Sequence, residues 1–86
     1  MIAAGDPQWV YLRTGRRAVL VPFETDGKKA QRLIDTVPVK YLFAHSADPY
    51  QRFNAPLIAE NPDAWNRVWS SANGTLNVYE RVGPRP

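Results

Sequence analysis

Short apolar runs alternate with helix-start signals along the first sixty residues, and this alternation restricts the fold more than any other feature. The apolar runs are residues 1–4, 17–21 and 39–44. The N-cap signals that follow them are Asp6-Pro7, Thr25-Asp26 and Asp48-Pro49. Asp and Thr cap helices, and a proline suits the first helical position. Strands separated by helices predict a parallel sheet with right-handed crossovers.

Apolar spacing assigns an inward face to each predicted helix. The first helix is predicted to bury Trp9, Val10 and Leu12 and to end at Gly15. The second carries an amphipathic stripe at i, i+3, i+4 and i+7, which is Ala30, Leu33, Ile34 and Val37. The third buries Phe53, Leu57 and Ile58.

A proline interrupts the third helical pattern. Pro56 is expected to kink or split this helix, because proline lacks the amide donor and its ring crowds the preceding turn. Asn54 would then cap a separate short helix.

The last part of the chain carries a hairpin signal. Asn73-Gly74 is favoured in two-residue turns between antiparallel strands. Folding at this pair places Trp69 opposite Val78 and Arg67 opposite Glu80, both favourable cross-strand pairs. The sequence therefore predicts a single α/β domain over residues 1–82 and a flexible tail over residues 83–86. Its order is β-α-β-α-β-α-β-β, a mixed sheet of about five strands with about three helices, in which the first three strands are parallel.

Charge and length exclude several classes of function. The chain has 86 residues and a net charge of +3. It has no cysteine, so disulfides and thiolate metal sites are excluded. The longest apolar run is much shorter than the roughly 20 residues of a membrane span. Nucleic-acid binders usually carry a denser cationic stripe, so nucleic acid is not an expected partner. Arg13, Arg16 and Arg17 are candidates for anionic head groups; the alternative for Arg16 and Arg17 is a solvated loop before a strand.

Four residues are expected at the edge formed by the carboxyl ends of the strands, where open α/β sheets bind ligands. They are Asp6, Glu24, His45 and Asp48. A carboxylate–histidine group there could bind a metal or transfer protons. However, Asp6 and Asp48 precede prolines and are explained as helix caps. No catalytic residue, metal site or cofactor is therefore assigned.

Several segments together resemble a known family. They are Gly5-Asp6-Pro7, residues 10–17, residues 39–42, residues 50–53, residues 61–65, residues 67–69 and residues 74–80. In this order they resemble the C-terminal extracytoplasmic domain of bacterial polytopic membrane glycosyltransferases. Those enzymes are similar to the dolichyl-phosphate-mannose–protein mannosyltransferases and the aminoarabinose transferases. The resemblance spans about residues 2–82.

The resemblance implies a non-catalytic domain, periplasmic and attached to a membrane-embedded parent enzyme. It implies that Met1 is an introduced initiator, and that the parent's catalytic acidic residues lie in membrane-part loops outside this chain. The implied partners are the membrane core of the parent chain and, beyond it, a polyprenyl-linked sugar donor or the acceptor. The implied role is to cover or shape the extracytoplasmic side of the active site.

Two other functions stay open from the residues alone. One is a free-standing interaction module whose basic first half contacts a protein or nucleic acid. Residues 1–43 hold seven cations and four anions, against four of each in residues 44–86. The other is a small enzyme that uses Asp6, His45 and Asp48.

Overall fold

Eight elements follow the predicted order in the computed structural model, which describes residues 1–5, 7–22, 24–45 and 51–83. The strands are β1 (Ile2–Ala4), β2 (Ala18–Leu20), β3 (Tyr41–His45), β4 (Trp65–Ser70) and β5 (Leu76–Arg81). The helices are α1 (Pro7–Thr14), α2 (Gly27–Ile34) and α3 (Gln51–Ala59). The predicted α/β class, with five strands and three helices, is confirmed.

The sheet is mixed and has the order β2-β1-β3-β5-β4. β1 pairs in parallel with both β2 and β3, which confirms the predicted parallel arrangement of the first three strands. The C-terminal hairpin adds the antiparallel pairs, with β5 beside β3 and β4 at the edge. The sequence alone did not place the hairpin strands in this order.

Helices pack on both faces of the sheet. Successive strand residues point to opposite faces, so Ala3 lies on the face opposite Ile2 and Ala4. Ala3 belongs to a core cluster with residues of α2 and α3, including Ala30 and Leu57, whereas Ile2 and Ala4 pack with residues of α1. α1 therefore lies on one face, over β1 and β2, and the other two helices lie on the opposite face.

The helix boundaries follow their local signals. The Asp26 carboxylate accepts the backbone N–H groups of Lys28 and Lys29 and so caps α2, as predicted. Gly15 follows α1 with a φ of 69°, and its N–H donates to the Tyr11 carbonyl. This left-handed conformation is the usual reason for a glycine after a helix. Pro7 begins α1; its predicted cap, Asp6, lies outside the described residues.

Three residues predicted to face inward are instead exposed. In α1 only Val10 is buried, while Trp9 is 46% and Leu12 81% exposed. In α2, Ala30 and Ile34 are buried as predicted, but Leu33 is 53% exposed. The predictions were wrong because each eight-residue helix buries only a narrow strip of its surface.

α3 is one helix, although Pro56 lies inside it. The predicted split was therefore wrong. Pro56 lies in the second turn, where its missing N–H removes one intrahelical hydrogen bond and the helix continues to Ala59. Asn54 caps no separate helix; its side chain is 1% exposed, and among the described residues neither its oxygen nor its nitrogen has a hydrogen-bond partner.

Replacing Asn54 with leucine is expected to stabilise the protein. A buried amide without partners costs its desolvation free energy, so Asn54→Leu should raise the free energy of unfolding by about 1–3 kcal/mol. Urea denaturation measures the change. The matched control is Asn66→Leu, because Asn66 lies exposed on β4 and should change stability by less than about 0.5 kcal/mol. A destabilised Asn54→Leu variant would mean that the amide is hydrogen-bonded in solution.

The hairpin register agrees with the prediction at one pair and differs at the next. Trp69 lies opposite Val78, as predicted. Arg67 lies opposite Tyr79 rather than Glu80, because the register shifts between Arg67 and Trp69 and leaves one extra residue on β4. This is a β-bulge, a feature that alternation alone does not reveal.

The hairpin connection is also wider than the predicted two-residue turn, which in an Asn-Gly pair is usually of type I′. A type I′ turn needs positive φ at both Asn73 and Gly74. Gly74 has a φ of 73°, but no non-glycine residue in the described ranges has a positive φ. The Gly74 N–H donates to the Ser71 carbonyl, and the Ser71 N–H donates to the Leu76 carbonyl. The connection is thus a wider loop in which glycine alone takes the left-handed conformation.

A buried polar network fastens the hairpin to α2. Arg81 forms a two-pronged bridge to Asp35, with Nε to Oδ1 and Nη2 to Oδ2 each at 2.9 Å. Gln31 donates to Asp35 Oδ2 at 3.1 Å and accepts from the Trp65 indole at 2.8 Å. The Arg81 and Asp35 side chains are only 4% and 7% exposed. Trp65 is therefore a core residue.

Candidate functional site

An apolar concavity lies between α1 and β2. It is an open groove of about 550 Å³, within the roughly 300–1,000 Å³ of small-molecule sites. The described residues that line it are mostly apolar; they are Met1, Pro7, Gln8, Tyr11, Leu12, Arg17 and Ala18. We call it the α1–β2 groove.

Local structure explains why the groove exists. Val10 is the buried residue of α1, whereas Tyr11 and Leu12 are exposed. Gly15 then turns the chain back towards β2, and the Ile2 N–H donates to the Arg17 carbonyl at 3.0 Å. The short edge strand is thereby held beside β1, while the helix stands above it.

The three arginines named as head-group candidates lie at this corner of the fold. Arg13 lies in the last turn of α1, and its guanidinium carbon lies over the Trp9 ring, 5.3 Å from the ring centroid. Arg16 and Arg17 follow in the exposed connection to β2. Of the three, only Arg17 lines the groove.

The predicted ligand edge is described only in part. Asp6 and Asp48 lie outside the described residues. Glu24 is half-buried, and its carboxylate accepts the Asp26 N–H at 3.0 Å, so it supports the start of α2. His45 ends β3 and is exposed. β2, which precedes Glu24, and β3 are separated by β1, so their ends are about 10 Å apart.

A second concavity is smaller and more polar. It measures about 270 Å³ and lies beside the end of β5, with Lys28, Asp63 and Arg81 among its lining residues. The Arg81 guanidinium is already held by Asp35. This concavity falls below the usual size of small-molecule sites, so the α1–β2 groove is the stronger candidate.

Within the described ranges, no three His, Cys, Asp or Glu side chains are grouped so that they could hold a metal ion. None of the described helices is long and apolar enough to cross a bilayer. The sequence matches no family model, no curated protein and no solved structure.

Proposed function

We propose that this chain is a non-catalytic domain of a membrane-embedded glycosyltransferase that uses a polyprenyl-phosphate-linked sugar. In this role it covers or shapes the extracytoplasmic side of the active site. Its partners are the membrane core of its own parent chain and, beyond it, the sugar donor or the acceptor. The catalytic residues belong to the parent enzyme.

The surface of α1 carries this proposal. Trp9, Tyr11 and Leu12 are exposed on one short helix, and arginines 13, 16 and 17 follow at once. Large exposed apolar side chains beside cations are typical of surfaces that meet a membrane interface. Each cation near an anionic bilayer adds about 1 kcal/mol of attraction. The α1 corner would therefore face the membrane or the parent chain's membrane part.

A fractionated immunoblot tests the proposal. Antibody raised against the 86-residue chain is applied to membrane and soluble fractions of the source cell, and antibody preabsorbed with the same chain is the control. We expect a membrane band several times larger than 9.7 kDa. A soluble band near 9.7 kDa would overturn the proposal.

The alternative function is a free-standing interaction module that binds a partner protein or nucleic acid. The exposure of all five residues from 13 to 17, three of them arginines, favours this alternative. Contacts to nucleic-acid phosphates predict an affinity that falls steeply between about 50 and 200 mM salt. A salt titration with a duplex oligonucleotide distinguishes this mode from contacts to a protein.

A further inference from the structure

We propose that the α1–β2 groove binds a single-chain anionic amphiphile, with the alkyl chain in the groove and the head group on Arg17. The inference concerns this chain alone and holds whether or not the chain belongs to a membrane enzyme. It rests on the shape of the groove, on its apolar walls and on the one cationic side chain among its described lining residues.

The walls of the groove favour an alkyl chain. Tyr11 and Leu12 come from α1, and Ala18 comes from β2. Leu12 is 81% exposed and Tyr11 57%, so much of the apolar surface on the helix side is open to water. Covering such surface with an apolar chain is favourable in proportion to the area removed from water.

Arg17 determines the sign of the head group. Among the residues that the structure describes, no carboxylate lines the groove, and the Arg17 side chain makes no ion pair or hydrogen bond. Its guanidinium is therefore available at the end of an apolar wall. A planar guanidinium matches phosphate or carboxylate oxygens with paired hydrogen bonds. Charge complementarity thus selects an anionic head over a cationic or neutral one.

Titration with dodecyl phosphate, below its micelle-forming concentration, tests the inference. Backbone amide shifts of the whole chain are followed by NMR. We expect saturable shifts confined to α1, β2 and the connection between them. Inorganic phosphate, which keeps only the head charge, and dodecyltrimethylammonium, which keeps the alkyl chain but reverses the head charge, should each bind at least tenfold more weakly.

Two variants separate the contributions of head group and chain. Arg17→Gln should weaken dodecyl phosphate binding about tenfold, the loss expected for one charge-assisted contact. Leu12→Asn should weaken dodecyl phosphate binding about fivefold. Because Leu12 is exposed in the parent protein, this variant should fold. Arg32→Gln is the matched control, because Arg32 is an exposed arginine of α2 on the opposite face of the sheet. It should leave the affinity unchanged.

Binding to phosphatidylglycerol vesicles tests the competing explanation, docking of the protein on an anionic membrane surface. Binding to vesicles without binding to monomeric dodecyl phosphate would overturn the groove inference and leave surface docking in its place. Equal weakening by Arg17→Gln and Arg32→Gln would also overturn it, because attraction would then follow net charge. The immunoblot that tests the proposed function can give a negative result without affecting this inference. It reports the size and location of the parent protein, whereas the NMR titration reports binding in the groove.

Discussion

Asp35→Asn is expected to lower the free energy of unfolding by about 3–5 kcal/mol, the largest effect of any single substitution considered. The change keeps the side-chain shape but leaves the Arg81 guanidinium buried without its counter-charge. Breaking a buried ion pair by removing one partner costs this much because the remaining charge is desolvated. A domain of this length is stable by roughly 4–13 kcal/mol, so the loss is a large share of the total.

Guanidinium chloride denaturation of parent and variant measures the loss. Asp63→Asn is the matched control, because Asp63 is exposed and the same chemical change there should cost less than about 0.5 kcal/mol. Replacing both partners, in Asp35→Leu with Arg81→Leu, should recover much of the loss, since no unpaired charge stays buried. An Asp35→Asn variant within about 1 kcal/mol of the parent would show that the bridge contributes little in solution.

Gly27→Ala is expected to destabilise the protein by about 1–3 kcal/mol, although the same change usually stabilises a helix. Alanine normally gains about 0.5–1 kcal/mol over glycine inside a helix. Here a Cβ at residue 27 would overlap the Pro56 backbone carbonyl and lie 2.7 Å from Glu60 Oε2. Because a backbone atom cannot rotate away, α2 and α3 must separate, and overpacking of this kind costs about 1–3 kcal/mol.

The sign of the change in the free energy of unfolding, measured by denaturation of the parent protein and the Gly27→Ala variant, tests this prediction. Two hydrogen bonds depend on the close approach of Gly27 to the end of α3. The Gly27 N–H donates to Glu60, and the Asn61 side-chain amide donates to the Gly27 carbonyl. Separation of the helices would strain both. Lys28→Ala, at the exposed next position, should change stability by less than about 0.5 kcal/mol. A stabilised Gly27→Ala variant would contradict the close packing of these helices.

Much of the fold could be predicted because its signals are local. Asp26 and Gly15 mark helix ends through their own backbone and side-chain chemistry, and the apolar runs mark the parallel strands. The Trp69–Val78 pair was predicted for the same reason, since it depends on a nearby turn. The β-bulge between Arg67 and Trp69 has no such local signal in the sequence, so the Arg67–Glu80 pair was predicted wrongly.

The remaining features depend on contacts distant in sequence. In the sequence, Arg81 is one of the four cations of residues 44–86. The fold buries it against Asp35, 46 residues away. In the same way, Arg17 was named as a candidate cation, but the groove beside it forms only when α1 and β2 meet on the sheet. Neither residue differs in local pattern from an ordinary surface arginine.

β4 carries most of its side chains in solvent, and it is an outer strand of the sheet. An exposed outer strand with Val68 and Trp69 on it is a template for pairing with another copy of the chain. The β-bulge between Arg67 and Trp69 interrupts the regular row of backbone groups that such pairing needs. The opposite outer strand, β2, is only three residues long. Both outer strands of the sheet are therefore poor templates for strand-to-strand aggregation.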